Sequence, residues 1–198
     1  MTEFLLQHWI EIFAVTTGLL YVYLQIRQNK TMWIVGFISS AVFVYVLFSA
    51  QIYAQMGIYV YYVFISVYGY LRWKRMEDGK LKTNIVETGH APSLRGQQKN
   101  IFVLIAIGLF LSTIITIILS NFTDSPIPLI DGTIAGFSIV ATWMVTQKII
   151  QHWYFWMAIN LACVVLYVSQ NLYFTAGMFL VYFVMSIIGL KQWQKNRT

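Results

Sequence analysis

Residues 152–160, HWYFWMAIN, contain the side chains of this chain that are best suited to hold a small molecule. Trp153, Trp156 and Asn160 are three and four residues apart, which places them on one stripe of an α-helix at about 3.6 residues per turn. An indole offers a flat face for stacking, and an amide offers hydrogen-bond donors and an acceptor. The stripe therefore suits a flat heterocycle that carries polar substituents.

The helix that carries this stripe belongs to a chain with the composition of a membrane protein. Of its 198 residues, 59% are hydrophobic and 10% are charged, whereas soluble domains have about 25% charged residues. A helix needs about 20 apolar residues to cross a bilayer. Segments of that kind occur at residues 9–26, 33–50, 52–71, 101–120, 129–147, 153–170 and 172–190. The predicted fold class is an all-α integral membrane protein with seven transmembrane helices.

The basic residues predict how the chain is oriented in the membrane. All 13 lysines and arginines fall in the connections after the first, third and fifth helices and in the C-terminal tail. The positive-inside rule then places the N-terminus outside and the C-terminus in the cytoplasm. Residues 72–100 form the one long hydrophilic connection, which we expect to be a mobile loop. The basic residues behind the net charge of +6 flank the predicted membrane helices and do not lie on one face of a soluble domain. They therefore indicate the lipid bilayer as a partner and no nucleic acid.

Two parts of the sequence repeat each other at a distance of 120 residues without a gap. Apolar residues match freely in any membrane protein, but here many of the matched residues are Trp, Tyr, Gly and Ser, which makes the repeat significant. The clearest pairs are Trp33 with Trp153, Tyr62 with Tyr182, Ser66 with Ser186, Gly69 with Gly189, and Trp73 with Trp193. Positions 120 residues apart are called repeat-related below.

The repeat predicts a 3+1+3 arrangement of helices. Because a single helix separates two triplets, both triplets cross the membrane in the same direction, related by an axis along the membrane normal. The predicted domains are a first three-helix bundle at 1–72, a cytoplasmic loop with linker helix four at 73–128, and a second three-helix bundle at 129–198. Such parallel repeats hold a substrate near the midplane between the bundles. Duplication for stability alone is the other interpretation.

Several polar side chains converge on the predicted midplane. Ser40, Tyr62, Asn160 and Tyr182 lie near the middle of their helices as two repeat-related pairs, and Gly18 and Ser138 lie at the same depth. Each could instead make only a helix–helix hydrogen bond of about 0.6 kcal/mol. Their gathering at one depth favours a binding site.

The two halves differ within this site. Gly36 is repeat-related to Trp156, and Ser40 to Asn160, so the walls are unlike and suit a substrate without two-fold symmetry. Trp153, at the end of its helix, also suits an aromatic anchor at the membrane surface.

The charged and histidine residues exclude several classes of function. The second, third, fourth, sixth and seventh predicted helices hold no charged residue, which argues against proton coupling and against a phosphorylated or carboxylated substrate. His8, His90 and His152 are expected at the membrane surface or in the loop, without the spacing of metal ligands. No nucleophile stands beside a base, and no phosphate-binding loop is present. We therefore expect no enzyme activity, cofactor or metal.

Six segments of the chain carry a family resemblance: EIFAVTTGLLYVYL, WIVGFISS, YAQMGIYVYYVFISVYGYLRW, DGTIAGFSIVATWMVTQK, WYFWMAIN and the closing GLKQW. They resemble the PnuC family of bacterial vitamin transporters, and the likeness extends over nearly the whole chain outside residues 74–99. The resemblance implies a fold related to the SWEET sugar transporters, assembled as a homotrimer in the bacterial inner membrane. It further implies facilitated diffusion of nicotinamide riboside, which a cytoplasmic kinase traps by phosphorylation. The ligand would lie on Trp153, Trp156 and Asn160.

The substrate is less closely defined than the family. Several members that carry nicotinamide riboside have a glutamine midway along the third helix, where this chain has Tyr59, and relatives of similar fold carry thiamine or riboflavin. A sugar carrier and a non-transporting membrane scaffold or receptor are the alternatives from other classes. In the predicted site Trp153 and Trp156 stack on the ring. Asn160, Tyr62 and Tyr182 bind its polar groups. Ser40 and Tyr59 form the opposite wall. These ligand-binding residues are Trp153, Trp156, Asn160, Tyr62, Tyr182, Tyr59 and Ser40.

Overall fold

The computed structural model describes residues 2–49, 53–79, 94–123 and 126–196, and every regular element in these ranges is an α-helix. The helices are α1 (Thr2–Ile26), α2 (Thr31–Ser49), α3 (Tyr53–Glu77), α4 (Leu94–Phe122), α5 (Pro128–Thr146), α6 (His152–Ser169) and α7 (Tyr173–Lys195). A helix satisfies its backbone N–H and C=O groups within one segment, as an apolar solvent requires. The prediction of an all-α chain with seven helices is confirmed.

Five of the helices are long and apolar enough to cross a membrane by length and composition. They are α2, α5, α6, α7 and the part of α4 from Ile101 to Phe122. In α1 the apolar stretch within the described residues is shorter, Ile12–Ile26, and α3 carries many tyrosines, which lower its hydropathy. Both helices nonetheless pack against the other five, α1 on α2 and α7, and α3 on α2 and α5.

The hydrophilic connection between α3 and α4 is shorter than predicted. Helix α3 continues to Glu77 and α4 already begins at Leu94, so the prediction of a loop over residues 72–100 is wrong at both ends. The segment RWKRME is rich in strong helix formers, which extend a helix into water after its apolar part has ended. Residues 80–93, and the mobility predicted for them, lie outside the described residues.

The helices pack in two groups that meet along two lines of contact. In the first group α2 packs against α1 and α3, and in the second α6 packs against α5 and α7. Helix α4 packs on α5. Contacts between the groups run from α1 to α7 and from α3 to α5. A space lined by both groups can therefore form between these two lines.

Two turns of the same geometry join α1 to α2 and α5 to α6. Each contains one residue in the left-handed region, Gln28 at φ 54° and Lys148 at φ 53°, and these two positions are repeat-related. The N–H of each residue donates to the carbonyl three residues earlier, at 3.0 Å from Gln25 O and at 3.0 Å from Val145 O. A left-handed residue ends a helix abruptly, so the next helix can pack back along the first.

Four tryptophans form the main part of the core beside these turns. Trp33, Trp73, Trp153 and Trp193, called the tryptophan cluster below, are all nearly fully buried. Ring centroids are 5.7 Å apart for Trp33 and Trp73 and 5.9 Å apart for Trp153 and Trp193, each pair edge to face. Trp153 is only 1% exposed. Its interpretation as an anchor at the membrane surface is therefore wrong, because the ring packs inside the protein.

Each group supplies the cluster with a glycine where its tryptophan lies closest. A Cβ atom added to Gly69 would collide with the ring of Trp33, and one added to Gly189 would collide with the ring of Trp153. The side-chain-free surface of the glycine therefore allows the indole to lie directly on the neighbouring helix.

The tryptophan cluster also joins the two groups through hydrogen bonds. Trp73 Nε1 donates to the backbone oxygen of Val145 at 3.2 Å, and Trp193 Nε1 donates to that of Gln25 at 3.0 Å. Both carbonyls lie at the last turn of a helix and also accept from the N–H of the turn residue three positions later. Each indole therefore adds a second hydrogen bond to a carbonyl of the other group.

Candidate functional site

A cavity of about 280 Å³ lies between the two groups of helices. Its walls come from five helices that both groups supply, α1, α2, α3, α6 and α7, together with Thr142 of α5. Six of the seven residues predicted to bind a ligand line it: Ser40, Tyr62, Trp153, Trp156, Asn160 and Tyr182. The structure therefore brings together residues that are up to 142 positions apart in the sequence.

Tyr59, the seventh predicted residue, does not belong to the lining. Its ring stacks on Phe43 with centroids 4.9 Å apart, and it meets Tyr62 edge to face at 6.0 Å. Tyr59 thus supports a lining residue from behind. Direct contact between Tyr59 and a ligand stays a prediction.

The Asn160 amide is held in one orientation by α7. Its Nδ2 donates to Ser186 Oγ at 3.3 Å, and Ser186 Oγ donates in turn to the backbone oxygen of Tyr182 at 2.8 Å. Asn160 itself is buried and lines the cavity. Because the nitrogen is engaged with Ser186, the amide oxygen is the atom available to accept a hydrogen bond from a ligand.

The two central tyrosines differ in what their hydroxyl groups contact. The Tyr62 hydroxyl is hydrogen-bonded to Ser138 of α5. The repeat-related contact joins the Tyr182 hydroxyl to Gly18 of α1, where an added Cβ would collide with that hydroxyl. A glycine offers no side-chain partner, so the Tyr182 hydroxyl is the freer of the two to bind a ligand in the cavity.

The large aromatic residues of the two walls are placed on different helices. In the second group Trp156 of α6 lines the cavity beside Ala141 of α5, which is fully buried. In the first group the repeat-related positions hold Gly36 on α2 and Tyr21 on α1, and a Cβ on Gly36 would lie 2.9 Å from the Tyr21 ring. The two walls therefore have comparable bulk but present an indole on one side and a phenol on the other.

Lys30 and Lys148 lie at the turns, outside the cavity lining. Lys30 Nζ forms a salt bridge with Glu77 at the end of α3, and this hydrogen bond raises the pKa of Lys30. Lys148 Nζ lies 4.5 Å from the ring centroid of Trp73, and burial lowers the pKa of Lys148, an effect that Glu77 opposes. None of the residues that line the cavity is charged. The site therefore suits a ligand without a phosphate or carboxylate group.

The polar lining residues that the sequence analysis missed include Thr17, Ser39 and Gln25. Thr17 Oγ1 lies 3.2 Å from Ser39 Oγ, which places a pair of hydroxyls on the wall formed by α1 and α2. Gln25, also on α1, is nearly fully buried and hydrogen-bonded to His152. A signal for Gln25 was present, because its repeat-related residue is the apolar Val145.

His152 is buried inside the protein, which the sequence analysis did not predict. Its side chain is 0% exposed, with its ring centroid 4.5 Å from that of Trp153 and 4.8 Å from that of Trp193. The sequence placed His152 at the start of a helix, which is its position in α6, but it did not show that the tryptophan cluster surrounds this helix end. The side chains of His8 and His90 lie outside the described residues.

An all-helical chain that is apolar on its outside and holds an uncharged cavity with a few polar groups between two helix groups has the architecture of a membrane transporter. Comparison with known proteins identifies the family. The profile of the nicotinamide mononucleotide transporter family matches residues 8–195, so the chain belongs to that family. It is a multi-pass membrane transporter and not an enzyme.

The curated relatives agree on this family. The chain is 23% identical over 199 residues to the nicotinamide riboside transporter PnuC of Escherichia coli, in a match that covers 92% of this chain and 82% of the relative. It is 24% identical over 197 residues to the nicotinamide riboside transporter PnuC of Neisseria mucosa, covering 94% and 72% of the two chains. The resemblance to the PnuC family is confirmed.

A solved structure has the same fold. The crystal structure of the vitamin B3 transporter PnuC superimposes with a TM-score of 0.69 and 21% sequence identity, over 95% of this chain and 81% of that one. At this identity the likeness concerns the fold and does not extend to individual contacts in the site.

Proposed function

We propose that this protein carries nicotinamide riboside across the bacterial inner membrane by facilitated diffusion. The observation that carries the proposal is the uncharged cavity between the two helix groups, which is lined by indole, phenol and amide groups. Nicotinamide riboside offers a flat ring for Trp156 and a carboxamide and hydroxyls for polar side chains. The curated relatives bear the name of the same substrate.

The lining favours the riboside over the phosphorylated mononucleotide after which the family is described. A phosphate carries about two negative charges at neutral pH and is costly to bury without a cation. No lysine or arginine lines the cavity. A cytoplasmic kinase would then convert the riboside into a product that cannot return, which gives net uptake without coupling to a proton gradient.

The roles of the site residues follow from their places in the cavity wall. Trp156 stacks on the pyridinium ring, the Asn160 amide oxygen accepts a hydrogen bond from the ligand, and Tyr182 offers its hydroxyl. Tyr62 and Ser40 add hydroxyl groups on the first helix group. Trp153 closes the cavity at the tryptophan cluster, and Tyr59 sets the position of Tyr62 from behind.

We also propose that the fold is a parallel 3+1+3 repeat related to the SWEET architecture. The proposed units are a first bundle at 1–72, the connection and linker helix at 73–128, and a second bundle at 129–198. The matched left-handed turns and the reciprocal indole hydrogen bonds support this division. The salt bridge between Lys30 and Glu77 places the α1–α2 turn and the end of α3 on the same side of the molecule. We propose that this side, which carries the basic residues, faces the cytoplasm and that the N-terminus lies outside.

Uptake into proteoliposomes tests the proposed mechanism. Labelled nicotinamide riboside should enter until its concentrations inside and outside are equal, and a proton gradient should change neither the rate nor the end point. An encapsulated riboside kinase with ATP should raise the total label inside well above that level. Accumulation of unmodified riboside above the outside concentration would contradict facilitated diffusion.

Fluorescence titration of the purified protein tests the substrate. Nicotinamide riboside should quench tryptophan emission at lower concentrations than thiamine, riboflavin or nicotinamide mononucleotide. A stronger response to thiamine or riboflavin would identify that vitamin, and not the riboside, as the substrate. Equal binding of the mononucleotide would refute the argument from the uncharged lining. Light scattering of the detergent complex would test the homotrimer that the family resemblance implies.

A further inference from the structure

One polar pair, of which Gln25 lines the cavity, has no polar counterpart at the repeat-related positions. Gln25 Nε2 lies 3.0 Å from His152 Nε2, and this contact joins α1 to the start of α6. The repeat-related residues are Val145 and Met32, which are both apolar and both nearly fully buried. The helix packing at this point therefore does not require polar side chains. An additional role explains why one side has them.

A backbone contact determines which ring nitrogen of His152 carries the hydrogen. Nδ1 lies 2.6 Å from the backbone oxygen of Ile149, which can only accept a hydrogen bond. The proton of the neutral ring is therefore on Nδ1, and Nε2 has a lone pair. A ring nitrogen with a lone pair can only accept.

The histidine in turn determines the orientation of the Gln25 amide. Since His152 Nε2 accepts, the Gln25 atom beside it must be the NH₂ group and not the oxygen. Rotation of the amide by half a turn would bring two acceptors together inside the protein, where an unsatisfied polar contact is costly. The amide oxygen of Gln25 is left without a hydrogen bond among the described residues, and Gln25 lines the cavity.

We propose that Gln25 is a specificity-determining residue that accepts a hydrogen bond from an N–H donor on the ligand's ring system, and that His152 is its positioning residue. This proposal rests on the proposed function. For nicotinamide riboside the donor is the carboxamide NH₂ group. A site that presents a fixed carbonyl rejects an otherwise similar ligand without the donor, because its buried acceptor is then left unpaired.

The pair also explains how one cavity distinguishes its two ends. The Asn160 oxygen and the Gln25 oxygen are both acceptors, but they are held by different helices, the one through Ser186 and the other through His152. Gln25 lies at the level of the tryptophan cluster, since its own backbone oxygen accepts from Trp193. We therefore place the ligand's amide toward the cluster and its sugar toward the middle of the cavity.

The test compares two ligands of equal charge that differ in the donor. In 3-acetylpyridine riboside a methyl group replaces the NH₂ of nicotinamide riboside, so shape and charge are kept and the donor is lost. The wild-type protein should bind nicotinamide riboside about tenfold more tightly than the acetyl analogue. Dissociation constants are measured by isothermal titration on purified protein, with the melting temperature recorded for every variant.

The variants use the residues that the other half of the chain holds. Gln25→Val should reduce the ratio of the two dissociation constants to near one, and His152→Met should reduce it as well, since the amide can then rotate. His152→Gln, which supplies an acceptor near the place of Nε2, should recover part of the ratio. Met32→Leu serves as the matched control at a buried position outside the cavity lining, and it should keep the full ratio.

The outcomes separate this proposal from the proposed function. If the wild-type protein binds the riboside but Gln25→Val leaves the ratio of the two dissociation constants at tenfold, Gln25 does not accept a hydrogen bond from the ligand's N–H donor and the proposal is wrong. A normal ratio in His152→Met would refute the positioning role of the histidine. If the wild-type protein binds no riboside at all, the proposed function fails and this proposal fails with it. Should Gln25→Val not fold, the comparison of His152→Met with His152→Gln decides.

Discussion

The first three helices and the last three share four tryptophans beside the turns and differ at several positions that line the cavity. Beside the turns, Trp33 lies on Gly69 in the first group as Trp153 lies on Gly189 in the second. These contacts leave no room for a Cβ atom on either glycine. Packing of this kind tolerates little change, which explains why both groups retain it.

Beside the cavity the same two groups keep Tyr62 with Tyr182 and Ser66 with Ser186, but they differ at other positions. The large aromatic side chain is Tyr21 on α1 in the first group and Trp156 on α6 in the second. Ser40 of the first group corresponds to Asn160 of the second. The bonded pair Gln25 and His152 corresponds to the apolar residues Val145 and Met32. A cavity wall faces a ligand and not another helix, so its side chains can change without disturbing the packing. We therefore propose that the tryptophan cluster holds the groups together while the unlike walls recognise the substrate.

The largest effect is expected where the two groups agree. Gly189→Leu drives a side chain into the Trp153 ring, and overpacking of this kind costs about 1–3 kcal/mol or more. We expect little folded protein in gel filtration with fluorescence detection. Gly177→Leu lies on the same helix, where a Cβ meets nothing within 4 Å, and should elute as the wild type does. Equal loss in both variants would mean that leucine itself, and not the tryptophan contact, is harmful.

The next effect tests the polar difference between the groups. Asn160→Leu removes the ligand's acceptor and leaves Ser186 without its amide partner, so riboside binding should weaken about tenfold to hundredfold. Expression and melting temperature should change little, because leucine fills a similar volume. Leu161→Ala, at an exposed position next to it, is the matched control and should bind normally. An unfolded Asn160→Leu would instead assign the amide a structural role.

A smaller effect is expected for the aromatic difference. Trp156→Ala removes the stacking face but no hydrogen bond, so the dissociation constant for riboside should rise about tenfold. Most of the fluorescence quenching should be lost, since the emitting ring beside the ligand is gone. Tyr21→Phe, on the opposite wall, keeps its ring and should retain both affinity and quenching. Quenching that persists in Trp156→Ala would place the ligand elsewhere in the cavity.

The smallest effect tests whether the two groups are held together symmetrically. Trp73→Phe and Trp193→Phe each remove one indole donor from a buried backbone carbonyl, which costs about 1 kcal/mol. The two variants should lower the melting temperature by similar amounts and leave riboside affinity within about twofold. A clearly larger loss for Trp193→Phe would show that its contact with the Gln25 backbone matters more than the repeat-related one.

Much of the fold could be predicted from the sequence because its signals are local. Runs of about 20 apolar residues mark helices in any membrane protein, and all seven were found. Residues 72–77 were wrongly predicted as loop for the same reason. Their charged side chains end the apolar span, but lysine, arginine and glutamate are strong helix formers and the helix continues. Apolar length predicts where a helix leaves the bilayer, and helix propensity decides where it ends.

The candidate site was predicted in part for a related reason. Ser40, Tyr62, Asn160 and Tyr182 stand out as polar groups within apolar helices, and all four line the cavity. Gln25 and His152 stand at helix ends, where polar residues are common, so nothing in their immediate surroundings marked them. Comparison of each residue with its partner 120 positions away would have singled them out.

The sequence by itself determined the seven helices, the repeat, the family and the positions at which the two halves differ, because each of these depends on residue types and their spacing along the chain. Only the tertiary structure decided which of the differing residues share a wall. The bond between Gln25 and His152 spans 127 residues, and Tyr59 lies behind Tyr62 and not in the cavity lining. Such contacts depend on how helices rotate and cross when they pack, and that rotation follows from all the side chains of the interface together.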